Sequence, residues 1–343
     1  MDTGAAAGAT DTSNTQFHTD VEVTFSMSGE TDNGLSFGGS VQLDEAGAAD
    51  PADDGGSAFF VSGAFGTLTM GDTDGALDSV MTEVGGPGSI ADNETSHDGF
   101  LGAYLDGSYD GQIARFDYTA GDFAFAVSTE IADTDRAGRG NGYAFGAKYT
   151  MGNITFGAGY QKADTVGNVT FGGTAAVAGV DAVAGSYTDA SASDALVVTT
   201  GAVADATAFD ADNDTVVVAG TTAVTEAAAT IAEVDATGLS VSGTFGAVTA
   251  GLRYTMYDSN IAAHDAKHMH VGVSYTQGAM SIGANFGDFD SDDNAQDREG
   301  YGISANYALG GGATLQAGYE SSKGGATGVD RGDSWSLGLA MSF

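Results

Sequence analysis

The sequence predicts an all-β protein: a transmembrane, antiparallel, up-and-down β-barrel. Three observations carry that expectation. Apolar and polar residues alternate with a period of two along almost every readable segment, as a strand with one greasy and one wetted face requires. The connections alternate strictly between short turns and long acidic stretches, which sorts them to opposite ends of a barrel. No run of about 18 apolar residues offers a membrane helix, and lipid admits only helices and closed barrels, so a membrane protein of this sequence must cross with strands.

The elements follow in order. A first strand over 16–28 turns Phe17, Val21, Val23, Phe25 and Met27 to one side and His18, Asp20, Glu22, Thr24 and Ser26 to the other. Asn33 and Gly34 make a turn signal, after which 34–43 sets Leu35, Phe37, Val41 and Leu43 against Ser36, Ser40 and Gln42. Strands follow at 57–65 and 67–71, then at 112–119 and 122–131, 142–150 and 153–162, each pair joined by a short turn. Within 142–150, Tyr143, Phe145, Ala147 and Tyr149 alternate with Ala144, Gly146 and Lys148. Strands at 238–245, 248–257, 267–276, 279–287, 300–309, 313–320 and 333–343 repeat the pattern. In the last of them Trp335, Leu337, Leu339, Met341 and Phe343 alternate with Ser334, Ser336, Gly338, Ala340 and Ser342. A final amphipathic strand closing on an aromatic residue resembles the recognition signal of bacterial outer-membrane proteins.

This reading yields fifteen strands in a single domain, 1–343. Single-chain bacterial barrels have an even count, so the expectation is a sixteen-strand type whose first strand lies upstream of this chain. Residues 1–15, polar and rich in Gly and Ala, then read as the remnant of a first outer loop. Residues 163–237 are low-complexity Ala, Val, Thr and Asp with short β-prone runs at 195–199 and 216–219. They are expected to form a long external loop or insertion. Its neighbours start from and end in short turns, so only an even number of barrel strands fits within it.

Composition narrows the function. Among 343 residues, 47 acidic side chains against 10 Lys and Arg give a formal net charge of −37, which excludes nucleic acid as a partner because phosphate contacts need clustered cations. With no cysteine, disulfide scaffolds, thiolate metal sites and Cys nucleophiles are excluded. The 54 glycines and 2 prolines follow no collagen period and suggest close backbone approaches. Residues Met1 to Gly4 carry no basic end and no apolar run, so an export leader, if there is one, is expected to be already removed or outside this sequence. The polar face of the strands is mostly Gly, Ser, Thr, Asn and Gln, suited to a wetted lumen. Tyr149, Tyr160, Tyr254, Tyr275, Tyr307 and Tyr319 end the apolar face as an aromatic girdle would.

Several stretches resemble the trimeric general porins of alphaproteobacteria, the purple-bacterial type. They are Thr24 to Gly29 (TFSMSG), Thr31 to Gly38 (TDNGLSFG), Ser62 to Gly66 (SGAFG) running into Met70, Gly71 and Asp72, and Tyr118 to Phe123 (YTAGDF). Gly238 to Val241 (GLSV), Thr244 to Gly246 (TFG), Gly310 to Ala313 (GGGA) and the C-terminal Phe343 complete the series. The family's first strand is missing from this chain and 163–237 matches none of the family's stretches. The resemblance implies a homotrimer in outer-membrane lipid that passes ions and small hydrophilic solutes by passive diffusion through a water-filled pore. It also implies that 72–111, the segment after Met70, Gly71 and Asp72, folds into the lumen as a constriction loop. That loop carries Asp72, Asp74, Asp78, Glu83, Asp92, Glu94, Asp98, Asp106 and Asp110 and no Lys or Arg.

Alternation places Arg115, Lys148 and Arg253 on the inner face with His18 beside them. Facing an acidic loop, they would set a transverse field, with mild cation selectivity as the expected outcome because acids outnumber them. The spacing Asp288, Asp290, Asp292, Asn294 and Glu299 approaches a Ca²⁺-loop pattern, with Asp293 where Gly belongs. A solvated hairpin tip is the alternative reading of that spacing, since a chance match is easy in so acidic a chain. Ca²⁺ or Mg²⁺ at the oxygen-rich acidic loops is expected from the −37 charge, and no cofactor is required. His264, His268 and His270 lack an evident fourth ligand for Zn²⁺ and read better as lumen or loop-base residues. The chain has no G-x-S-x-G, H-E-x-x-H or phosphate-binding glycine loop, so it is expected not to be an enzyme. The alternative is a secreted acidic all-β binding module or adhesin, which would stay soluble without detergent.

Overall fold

Period-two alternation resolves into one long antiparallel meander. The computed structural model describes residues 21–44, 56–84, 97, 99–100, 113–131, 142–163, 173–174, 186–189, 195–198, 215–218, 230–231, 233–261, 264–293, 296–324 and 329–343. The first half holds β1 (Glu22–Glu30), β2 (Ser36–Asp44), β3 (Ser57–Gly63), β4 (Gly66–Gly71), the short helix α1 (Ala76–Val80), β5 (Ile113–Ala120), β6 (Phe123–Glu130), β7 (Gly142–Met151) and β8 (Ile154–Ala163). Short strands β9 (Gly173–Thr174), β10 (Ser186–Asp189), β11 (Ala195–Val198), β12 (Thr215–Val218) and β13 (Thr230–Ile231) follow. The second half holds β14 (Val234–Phe245), β15 (Val248–Ser259), β16 (Ala266–Gln277), β17 (Met280–Ser291), β18 (Arg298–Gly310), β19 (Ala313–Gly324) and β20 (Val329–Met341).

Fifteen of these strands form one sheet in chain order, β1 to β8 and then β14 to β20, each antiparallel to its neighbours. This is the up-and-down barrel sheet that the alternation predicts, strand for strand. β8 pairs directly with β14, through Lys162 opposite Asp235 and Gly157 opposite Ser240, so the two are neighbours in the fifteen-stranded sheet. Among the described residues β1 pairs with β2 and β20 with β19. The expected first outer loop, the start of the first strand and His18 lie outside the described residues. Residues 173–231 make a separate compact unit, in which β10 is flanked by β11 and β12 and β9 pairs with β13.

Two expected boundaries change. β14 begins at Val234, so the last residues of the expected 163–237 insertion belong to the barrel, because β8 extends to Ala163 and pairs with them. The expected acidic loop 288–299 is largely strand as well. β17 runs to Ser291 and β18 starts at Arg298, with Asp288 opposite Glu299. The extra ladder bonds satisfy backbone groups that a loop would leave to solvent.

One face of the sheet is apolar and open. Phe145 is 54% exposed and Trp335 65%, and Phe25, Phe59, Leu252, Val271, Ile303 and Leu337 stand on the same side. Exposing so continuous an apolar surface in water would be untenable, whereas lipid accepts it. The short turns need left-handed backbone, which Gly152 (φ 61°) and Gly246 (φ 65°) supply without strain.

Candidate functional site

The residues on the other face explain why the chain uses so much glycine. The segment after β4 leaves the end of that strand, forms α1, and lies across the inner face of β6 to β8. Ala76, Leu77 and Val80 of this helix are buried. A Cβ at Gly159 would stand 2.8 Å from the Leu77 side chain, one at Gly238 2.8 Å from Met81, and one at Gly251 2.6 Å from Val84. Gly146 and Gly157 give way in the same manner to Val80. Gly159 pairs with both Gly146 and Gly238, so these three form a groove across β7, β8 and β14. Sequence reading registers the inner-face glycines and misses their use as a seat; the signal is their recurrence at lumen parity on adjacent strands.

Polar contacts fix the segment in place. α1 lacks a side-chain cap of its own, and the wall supplies one, because Ser128 Oγ accepts from the Ala76 N–H at 2.8 Å. At the other end Lys148 Nζ donates to the Ser79 carbonyl at 3.0 Å, where a cation suits the helix C-terminus. Further on, Thr82 N–H donates to Ser240 Oγ at 3.0 Å and Glu83 pairs with Arg253. The Arg115 guanidinium donates to the Asp74 carbonyl at 2.7 Å and to the Asp117 carboxylate at 3.0 Å, with the Asp74 carboxylate 3.8 Å away. All three described wall cations of the sequence analysis therefore contact 74–83. Lys148, Gly157, Ser240, Arg253 and His270 follow one another across the strand pairings in a single register row. Arg115 is on another row, opposite Ser128.

A second stretch, His97 with Gly99 and Phe100, packs on β16 to β18. His268 Nε2 donates to the Gly99 carbonyl at 2.9 Å, and His97 bonds Asn285. Gly287 and Gly300 leave room for the Gly99 backbone and the His97 side chain. Phe100 meets His270 edge-on at 5.1 Å and stands 5.5 Å from the Arg253 guanidinium. Ser128, Ser240, Asn285, His97 and Phe100 are contacts that sequence reading does not single out, since a serine on the lumen face looks the same whether it touches water or a loop.

The remaining expected residues divide. Asp72 lies beside Gly56, and its N–H donates to the Ser57 carbonyl at 2.8 Å. Asp78 belongs to the first turn of α1. Asp92, Glu94, Asp98, Asp106, Asp110 and Asn294 lie outside the described residues. Asp288, Asp290 and Glu299 stand on the apolar-face parity of β17 and β18, where Glu299 is 3.6 Å from Lys323 and Asp290 is opposite Lys267. They occupy paired strands instead of one loop, and Asp292 follows the end of β17. Among the described residues no group of three or more His, Asp or Glu side chains is arranged to hold a metal. His264 is 3.9 Å from Asp293, while His268 and His270 are buried beneath Gly99 and Phe100.

An antiparallel sheet that is apolar outside and glycine-lined inside, with an acidic segment seated on the inner wall, defines a membrane β-barrel with an internal loop. The chain belongs to the Gram-negative porin family, whose profile matches residues 1–233 and 205–327, and its place is the bacterial outer membrane. A porin of Rhodobacter capsulatus is 34% identical over 151 residues, covering 42% of this chain and 48% of the relative, so the match spans about half of that protein. A porin structure refined at 1.8 Å superposes with a TM-score of 0.58 at 21% identity, covering 94% of this chain and 92% of the other. A double mutant of Rhodopseudomonas blastica porin gives a TM-score of 0.56 at 16% identity, with 94% and 90% covered. These are likenesses of fold, and they agree with the purple-bacterial resemblance.

Proposed function

We propose that this barrel is a water-filled pore for passive diffusion of ions and small hydrophilic solutes, mildly cation-selective, with 72–111 as the constriction. The observation that carries this reading is the pinned segment. An acidic stretch held by Ser128, Lys148, Ser240 and Arg253 against a glycine-lined face supports a segment that narrows the pore. No step of bond chemistry is required. Selectivity follows from charge balance. Arg115, Lys148 and Arg253 each direct hydrogen bonds to the loop, and the Asp74 side chain stays 61% exposed with Arg115 3.8 Å away, so the loop's excess of carboxylates is what faces water. Within a Debye length of about 8 Å in physiological salt that excess is felt by a permeating ion. Ion conductance of the purified protein in a planar bilayer tests the reading, and a silent or anion-selective protein overturns it.

A homotrimer is part of the proposal. β3 has seven residues and β4 six, whereas a tilted strand needs about 9–11 to cross the hydrocarbon. β14 to β20 have 12 or 13 each. The short side of the wall leaves a hydrophobic mismatch that contact with a neighbouring copy would cover. Cross-linking in detergent micelles tests this, and monomers alone would overturn it.

A further inference from the structure

We propose that Arg253 is a positioning residue that clamps the inner loop at two separate points and so fixes the open cross-section of the pore. The inference rests on the pore reading above and adds to it a residue that defines the constriction through the loop, in place of a wall charge facing the solute. Arg253 is 0% exposed on the inner face of β15. A guanidinium so placed must be paired, because an isolated buried charge is prohibitively costly. Its partners come from the loop on both sides. Nη1 donates to the Glu83 carboxylate, and the Phe100 ring centroid stands 5.5 Å from the guanidinium carbon.

The surroundings make the clamp directional. Arg253 lies between Ser240 and His270 in the register row. Ser240 holds the Thr82 N–H, one residue before Glu83. His270 meets Phe100 at 5.1 Å, and His268 holds the Gly99 carbonyl, one residue before Phe100. Each grip of Arg253 is therefore doubled by a neighbour on an adjacent strand. A planar guanidinium can present its edge to a carboxylate and its face to a ring together, which a Lys ammonium cannot do. The alternative role, a fixed positive charge in the pore wall, makes a different forecast: neutralising Arg253 and neutralising Glu83 should then have opposite effects.

The test uses the full chain in planar bilayers, wild type beside Arg253→Met, Arg253→Lys, Glu83→Gln and Phe100→Leu, with heat-dependent gel migration reporting barrel formation. The clamp predicts that Arg253→Met and Glu83→Gln both lose the single open level and split it into sub-levels, although they change charge in opposite senses. It predicts the same splitting in Phe100→Leu, which changes no charge, and no return to a single level in Arg253→Lys. If every variant keeps one level and only the reversal potential moves, oppositely for Arg253→Met and Glu83→Gln, the clamp is overturned while the pore reading stands. A wild type that conducts nothing overturns both. Should Arg253→Met fail to form a barrel, Phe100→Leu and Glu83→Gln decide alone: a single unaltered level in both sinks the proposal.

Discussion

Replacing Leu77 by Ala should loosen the inner loop while leaving the barrel intact. Leu77 is 0% exposed and sits over Gly159 and Gly238, on the lumen side of the sheet. When the segment lifts, that side chain enters pore water, so the full transfer from water to a packed site applies; an outward residue only exchanges one apolar medium for another. Leu→Ala at buried sites costs about 2–5 kcal/mol, and each 1.4 kcal/mol is about a factor of ten in an equilibrium. The lifted population should therefore rise about 30-fold even at the low end of that range. Amide hydrogen exchange reads it directly. The Ala76 and Thr82 N–H groups are held by Ser128 and Ser240 from the wall, so both should lose protection, while strand amides of β7 and β8 keep theirs. Phe145→Leu, on the outward face, is the control. Unchanged protection at Ala76 and Thr82 in Leu77→Ala would refute the claim that apolar seating holds the loop.

Other expectations follow from the same contacts. Ser128→Ala and Ser240→Ala each remove one wall acceptor and should destabilise loop docking by about 1 kcal/mol apiece, read as faster exchange at Ala76 or Thr82 respectively; swapped or absent effects would contradict the pairing. Asp74→Asn with Asp78→Asn should lower cation preference in a salt gradient, and the wild-type preference should fade as the Debye length drops toward about 3 Å at 1 M salt; a preference that ignores salt would point away from fixed charge. Gly159→Val should expel the segment from its groove and raise exchange at Ala76, with normal barrel formation by gel migration as the check that the strand itself tolerates the change. Ca²⁺ or Mg²⁺ should raise thermal stability by neutralising part of a chain at −37; an unchanged melting temperature in excess EDTA would refute this.

The strands were legible because a lipid-facing barrel wall leaves a period-two signature with few exceptions. Phe25 and Val41, Val127 and Phe145, and Leu252 and Val271 share the outward face as parity requires, and the ladders set them opposite one another. Their ends were less legible. Above the apolar band, parity continues through polar residues such as Asp288 and Asp290, and no hydrophobic contrast marks where a ladder stops. The inner loop was harder still. Its acidity and its position after Gly71 could be read, but its path depends on absent side chains, at Gly146, Gly159, Gly238 and Gly251. A glycine in a strand carries no label saying whether it faces a turn, a ligand or another backbone.

Scarcity of cations sharpens the functional argument. With 10 Lys and Arg in 343 residues, a chain that needed positive charge in its pore would be expected to leave those side chains free toward water. Arg115, Lys148 and Arg253 instead each reach the 74–83 segment, two through backbone carbonyls and one through Glu83. Carbonyl acceptors are informative here. A Lys bonded to the Ser79 carbonyl holds the backbone in place without drawing on a loop carboxylate, so only Glu83 and, at 3.8 Å, Asp74 are offset by wall cations among the described contacts. A field made by opposed charged walls would weaken when any wall cation is removed. A field made by a pinned acidic loop keeps its sign and loses its definition, because the loop that carries the charge no longer has one position. Reversal potential and open-level width measured on the same Lys148→Met channels separate the two: a sharp level with altered selectivity supports opposed walls, and a broadened level with cation preference retained supports the pinned loop.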